Sequence, residues 1–266
     1  MSNFKIALLI LTTSNKRDEW ENIKDSYLYN MTLKSFLLTQ DKEYKYKFYI
    51  GIDEDDRIFD KIYEQEYIKN FSKAFPNVEF EFIVFDNNKV KKGHATLMWN
   101  ILFEKAFQEN YDYFYQCGDD IVFKTSGWIN DSIKTLQKNN NLGLTGPINN
   151  NNRILTQSFV SRKHMEIFGW YFPIEIKNWC CDDWYNMVYY PDYLYPLHNH
   201  FAENNGGKPR YDINNDPKFV GKNNETFSKN VSKLRQETHD MANRHKILII
   251  PSLIVYLLRV SDINFI

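Results

Sequence analysis

Two adjacent carboxylates, Asp119 and Asp120, follow Gly118 in the stretch YFYQCGDDIVF (113–123), between two runs of aromatic and β-branched residues. Neighbouring like charges repel, and burying unpaired charge is costly. A divalent cation held by carboxylate oxygens and shared with phosphate would relieve that cost, and Mg²⁺ or Mn²⁺ accepts one or two protein carboxylates in such a setting. The plainer reading is a Gly-Asp-Asp turn. A second acidic pair, Asp182 and Asp183, stands in NWCCDDWYN between Trp179 and Trp184. An apolar wall raises a carboxylate's pKa toward that of a useful base. Helix capping is the bland role for the same pair.

Further polar groups accompany these pairs. Asp53 ends an apolar run and is suited to a ribose or a base edge. Thr12, Thr13 and Arg17 lie where a first strand meets a first helix, a place that favours a diphosphate or simple capping. Lys92, beside Gly93 and His94, is read as a phosphate contact or a solvated lysine. His198 and His200, spaced i and i+2 in LHNHF, would point the same way on an extended segment and approach a metal together.

The elements that must position these groups follow from hydrophobic patterning. Phe4 to Leu11 is continuously apolar, as expected of a strand buried on both faces of a parallel sheet. Asp18 is placed to cap a helix carrying Trp20, Ile23, Tyr27 and Met31 on one stripe. Strands are expected at Phe48–Ile52, Val78–Phe85 and Tyr113–Cys117. Helices are expected at 58–75, after Gly93 (Met98, Ile101, Leu102, Ala106), near Trp128–Leu136, at Ser161–Phe168, and from Asp182 to Tyr189. The alternation β-α-β-α-β-α-β argues an α/β fold with a mainly parallel central sheet and helices on both faces. Ligands of such sheets bind beyond the carboxyl ends of the strands, where Thr12–Thr13, Asp53 and Asp119–Asp120 converge. One domain is expected, with a nucleotide-side half (1–123), an acceptor-side half (124–215) and a C-terminal extension (216–266) without an assigned role.

Bulk properties narrow the function classes. Lys and Arg total 33 against 34 Asp and Glu, interspersed, which disfavours nucleic acid as partner. Cys117, Cys180 and Cys181 form neither a disulfide framework nor a zinc spacing, which suits a reducing compartment. No signal-like segment is seen, and the apolar run from Ile247 to Val260 is short of a membrane span and interrupted by Pro251, so a cytoplasmic location is expected.

Taken together, these motifs resemble the GT-A glycosyltransferases (family-2-like), whose fold is Rossmann-like. CGDDIVF looks like a variant of the family's acidic DxD motif, with Gly118 replacing the first acid. The resemblance implies that Asp120 ligates Mn²⁺ or Mg²⁺ and that Asp119 assists through ribose or metal. FYIGIDEDD is similar to the family's nucleotide-reading acid, at Asp53, and GHATLMWNILFEKA to its Gly-to-Asn helix, at Gly93 and Asn100. WCCDDW resembles the pair that supplies the base in inverting members, Asp183 first and Asp182 second. His198 or His200 matches a late metal-ligating histidine. The implied activity is metal-dependent transfer of a sugar from a nucleotide-diphosphate sugar, UDP favoured, to an acceptor hydroxyl. Trp170, Tyr171 and Trp179 are available to stack on sugar faces. Two other readings share some of these residues: a polymerase-palm nucleotidyltransferase using Gly-Asp-Asp, with the IDEDDRIFD segment as its second acidic strand, and a non-catalytic nucleotide- or sugar-binding relative.

Overall fold

The computed structural model describes residues 4–219 and 225–250. In chain order the elements are β1 (Lys5–Leu11), α1 (Lys34–Thr39), β2 (Lys45–Asp53), α2 (Ile62–Lys69), β3 (Val78–Phe85), α3 (Ala95–Gln108), β4 (Tyr113–Gly118), β5 (Ile121–Phe123), α4 (Trp128–Lys138), β6 (Leu144–Ile148), β7 (Ser158–Ser161), α5 (Lys163–Phe168), α6 (Cys181–Tyr189), β8 (Leu194–Asn204) and α7 (Glu225–His245). They build one sheet of strand order β3-β2-β1-β4-β7-β6-β8-β5.

The four strands read from apolar runs form its parallel half, with β1 between β2 and β4 and β3 outside β2. Alternation along β1 shows why its sequence is apolar throughout. Ile6, Leu8 and Ile10 pack with Phe36, Phe48 and Trp128 on one face, and Ala7 and Leu9 pack with Leu102, Phe103 and Trp184 on the other. Helices therefore cover both faces of a mixed α/β sheet. The other half is mixed: β7 joins antiparallel to β4 and β6, β8 runs parallel to β6, and β5 pairs antiparallel with β8.

Two helices differ from expectation. Asp18 caps no helix. Asn22 instead accepts from the Lys24 amide, with Asp25 reaching back to the Asn22 amide, and this capping box closes a 3₁₀ turn at Ile23–Asp25. A π-helical stretch, Leu28–Leu33, then runs into α1. Trp20 and Ile23 are buried, but Tyr27 and Met31 are only half-buried, so the expected stripe is broken. The helix expected over 58–75 starts at Ile62, because Asp56 accepts from the Ile58 and Phe59 amides and holds those residues in a turn. It ends as a 3₁₀ turn at Asn70–Lys73.

Among the described residues no helix is long and apolar enough to cross a membrane. Of the apolar run 247–260, residues 251–260 lie outside the described part.

Candidate active site

β4 delivers the first acidic pair to the carboxyl end of the sheet. The tight turn into β5 is braced by Thr32, whose Oγ1 accepts from the Ile121 amide at 3.0 Å, and by the Asn205 amide donating to the Asp120 carbonyl at 3.0 Å. The turn splits the two carboxylates. Asp119 points inward, with its side chain fully buried, and accepts from both terminal nitrogens of Arg210 and from Thr12 Oγ1 at 2.6 Å. Asp120 faces a cavity. Burial first, then the neighbouring Asp119, pushes its carboxyl up to about 6. Gly118 and Gly206 give it room, since a Cβ at either would overlap the Asp120 carboxylate.

The charge carried by Asp119 is paired with the Arg210 guanidinium. Arg210 belongs to the segment following β8, which lies across the crevice. Arg17 Nη2 donates to the Lys208 carbonyl at 2.6 Å, and Asn15 Nδ2 donates to the Arg210 carbonyl at 2.7 Å. The Tyr211 hydroxyl donates to Asp53 and lies 3.3 Å from Thr13 Oγ1. The Tyr211 ring packs over Gly93, where φ is +78° and a Cβ would come within 2.8 Å of the ring. Only glycine suits that conformation and that approach together.

Two cavities meet at Asp120. The first, about 250 Å³, is walled by Thr12, Thr13, Asp53, Gly93, Arg210 and Tyr211. The second, about 390 Å³, is walled by Gln116, Arg153, Gln157, Asp182, Asp183 and Arg235. Gly118, Asp120, Trp99, Asn178 and Trp179 border both, so the two form one cleft. Trp99 Nε1 and Gln157 Oε1 are buried and have no hydrogen-bond partner among the described residues.

The second acidic pair opens α6, and its two members differ. Asp183 is buried and ion-paired with Arg153, and Arg235 Nε and His239 Nε2 each lie 3.4 Å from its Oδ1. The last two come from α7, which packs along α6 and lies in the extension given no role from sequence. Asp182 Oδ1 accepts only the Asp183 amide, at 3.0 Å, among the bonds described. Burial, then Asp183, pushes its carboxyl up to about 6. Trp179 is at the cleft, whereas Trp184 is turned into the core against Trp170 and His245.

Other expected residues fall as follows. Thr12 and Thr13 are at the cleft, but their hydroxyls serve Asp119 and Asp56. Arg17 is buried beside Trp20 and Tyr27 and uses its fork on the carbonyls of Lys16 and Lys208, so it holds the covering segment instead of facing the cavity. Asp53 stands at the cavity, with its carboxyl raised by burial. Lys92 lines a neighbouring cavity beside Asp53 and Asp56. Asn100 faces away: its amide clamps the backbone of Tyr171 and Phe172, which fixes α3 to the following loop. Tyr171 is fully buried, hydrogen-bonded to Ser158, and Trp170 stacks on Phe168. Only Trp179 of the three aromatics borders the cleft.

His198 and His200 do not share a face. The ladder with β6 is irregular between Leu197 and Phe201, leaving His198 exposed and His200 buried between Thr125 Oγ1 at 3.1 Å and Asp131 Oδ2 at 3.0 Å. Five steps of extended chain, ~16 Å, separate His200 from Asn205, which is bonded to Asp120. Among the described residues no group of three or more His, Cys, Asp or Glu is placed to hold a metal ion. Asp120 remains as a cleft carboxylate with room for one. A single carboxylate completed by phosphate oxygens and water is a set that Mg²⁺ or Mn²⁺ accepts.

The strand order and the crevice at the carboxyl ends of the parallel strands are those of a Rossmann-like GT-A fold. Among solved structures the chain is similar to residues 1–349 of S. aureus TarS, with a TM-score of 0.52 at 12% identity over 93% of this chain and 71% of that one. It is similar to the same fragment in complex with UDP (0.50, 14%, covering 75% and 60%) and in complex with UDP-GlcNAc (0.54, 13%, covering 91% and 70%). It spans 36% of a longer TarS chain. No protein-family model and no curated protein matches the sequence. At these identities the likeness is one of fold.

Proposed function

We propose that the chain transfers a sugar from a nucleotide-diphosphate sugar, UDP favoured, to an acceptor hydroxyl with inversion. The observation that carries this reading is the position of Asp120, on the border between two joined cavities at the carboxyl end of the parallel strands. The first cavity, with Asp53 and Tyr211 at one end and Asp120 at the other, suits a nucleoside diphosphate. The second, with Asp182 on its wall, suits the transferred sugar and the incoming hydroxyl. That TarS was solved with UDP and with UDP-GlcNAc on a similar fold supports the donor class.

In this reading Asp120 would hold a divalent cation, Mn²⁺ or Mg²⁺, which when bound stabilises charge on the departing diphosphate. The chain's own residues orient and move protons. Tyr211 and Asp53 orient the nucleoside. Trp179 and the unpartnered Trp99 Nε1 and Gln157 Oε1 orient the sugar. Asp182 takes the proton of the acceptor hydroxyl, work typically worth ~10²–10⁴-fold. Asp182 is preferred over Asp183 because the Asp183 carboxylate is engaged by Arg153, with Arg235 and His239 beside the same oxygen, whereas the described bonds to Asp182 leave its carboxylate open to the cleft. A two-metal nucleotidyltransferase needs two carboxylates free for metal, whereas Asp119 is committed to Arg210 and Thr12.

The test is product analysis with purified protein and a panel of UDP- and GDP-sugars with Mn²⁺. Release of nucleoside diphosphate with transfer or hydrolysis of the sugar supports the reading. Primer extension on RNA, or nucleotide binding without turnover, would replace it.

A further inference from the structure

We infer that Arg210 is a cation built into the diphosphate subsite, acting on the substrate's phosphates as well as on Asp119. This inference rests on the nucleotide-sugar reading above. The guanidinium is largely buried and lines the first cavity beside Asp120. Its bonds to Asp119 and to the Thr13 carbonyl use three of its N–H groups, and a guanidinium carries five in a fixed fork. The remaining donors belong to a group on the cavity wall that a diphosphate would fill.

The charge balance argues the same way. Asp53, Asp119 and Asp120 all gather at this end of the sheet, and a diphosphate adds further negative charge. Arg17, the cation expected there from sequence, spends its fork on the carbonyls of Lys16 and Lys208. Arg210 is the guanidinium that borders the cavity. It is also held in advance: its carbonyl by Asn15, the neighbouring Lys208 carbonyl by Arg17, and the Asp212 carbonyl by Asn178 at 3.3 Å. A preset fork loses little freedom when it meets phosphate. A purely architectural Arg210 would do no more than neutralise Asp119.

The experiment measures UDP and uridine affinity by calorimetry, with Mn²⁺ and with EDTA. It uses the intact chain, Arg210→Ala, Arg210→Lys and the double variant Asp119→Asn/Arg210→Ala. The double variant removes the buried carboxylate that Arg210→Ala strands, so folding is kept separate from phosphate binding. Expected results are UDP binding that survives EDTA in the intact chain, and a loss of about tenfold or more in the double variant even with Mn²⁺, with uridine affinity unchanged. Arg210→Lys should fall between, because it keeps the charge without the fork. Wild-type UDP affinity in the double variant would overturn the inference and leave the transferase reading standing. Absence of UDP and UDP-sugar binding by the intact chain with Mn²⁺ would overturn both.

Discussion

Arg210 and Asp119 form a bidentate ion pair across 91 residues of sequence, with Asp119 fully buried at the end of β4 and Arg210 on the segment that follows β8. The pair ties the acidic turn to the covering segment, so stability and ligand binding meet at one contact. Removing one partner leaves the other charge uncompensated. Asp119→Asn is expected to cost about 3 kcal/mol in urea unfolding, the range for breaking a buried pair. In an Arg210→Ala background the same change should cost much less. Equal costs in both backgrounds would show that the two residues are not coupled.

The two carboxylates of α6 should separate in kinetics. Asp182→Asn is expected to lower kcat by about 10²–10⁴-fold with donor KM little changed. Asp183→Asn should act mainly on stability, by about 1 kcal/mol, because its arginine partners are roughly half exposed and can return to water. Steady-state kinetics beside denaturant unfolding distinguishes the two. A catalytic loss confined to Asp183→Asn would return the base to that residue.

Activity and stability should respond to pH in opposite directions. Asp120 and Asp182 are both held up to about 6, by burial first and then by the adjacent carboxylate. Both must be ionised to bind a cation and accept a proton, so kcat/KM should rise through pH 6 and level off above it. For stability, the folded state holds these protons between about pH 4 and 6 while the unfolded chain releases them. Each group's contribution therefore declines as pH rises across that window. Asp182→Asn should flatten the decline. A wild-type slope in that variant would contradict the assignment.

Metal dependence should follow Asp120 and ignore the histidines. Asp120→Asn is expected to abolish the effect of Mn²⁺ on UDP affinity. His200→Ala should leave it intact, since its ring is engaged by Thr125 and Asp131. Calorimetry with and without EDTA checks both. Gly206→Ala should mimic Asp120→Asn in binding while leaving the melting temperature near wild type, because the three atoms nearest the added methyl all belong to the movable Asp120 side chain.

How far these features were legible in the sequence depended on whether their cause was local. β1 and β4, and β2 over Phe48–Ile52, announce themselves as apolar runs because both of their faces are buried, whereas the edge strand β3 alternates, with Glu79 and Val84 exposed. β6 carries Gly146 and Pro147, and β8 is half exposed and interrupted by Pro196, so neither shows a clean period. The first helix was misplaced because Asn22 and Asp25 compose a capping box inside the expected stripe, and that signal was present in the sequence. That Asp53, Asp120 and Asp182 would lie at strand and helix ends facing one crevice was legible, and they do line the cleft. Arg210, Tyr211 and Arg235 were not, because their partners Asp119, Asp53 and Asp183 lie 91, 158 and 52 residues away. Nothing in spacing alone pairs residues that only the closed sheet brings together.

The most direct measurement is a crystal structure of the chain soaked with UDP-GlcNAc and Mn²⁺. The account predicts the diphosphate beside Arg210, a metal ion on Asp120, the base next to Asp53 and Tyr211, and the sugar between Trp179 and Asp182. Nucleotide density elsewhere on the molecule, or Asp120 turned from the ligand with no ion beside it, would contradict it.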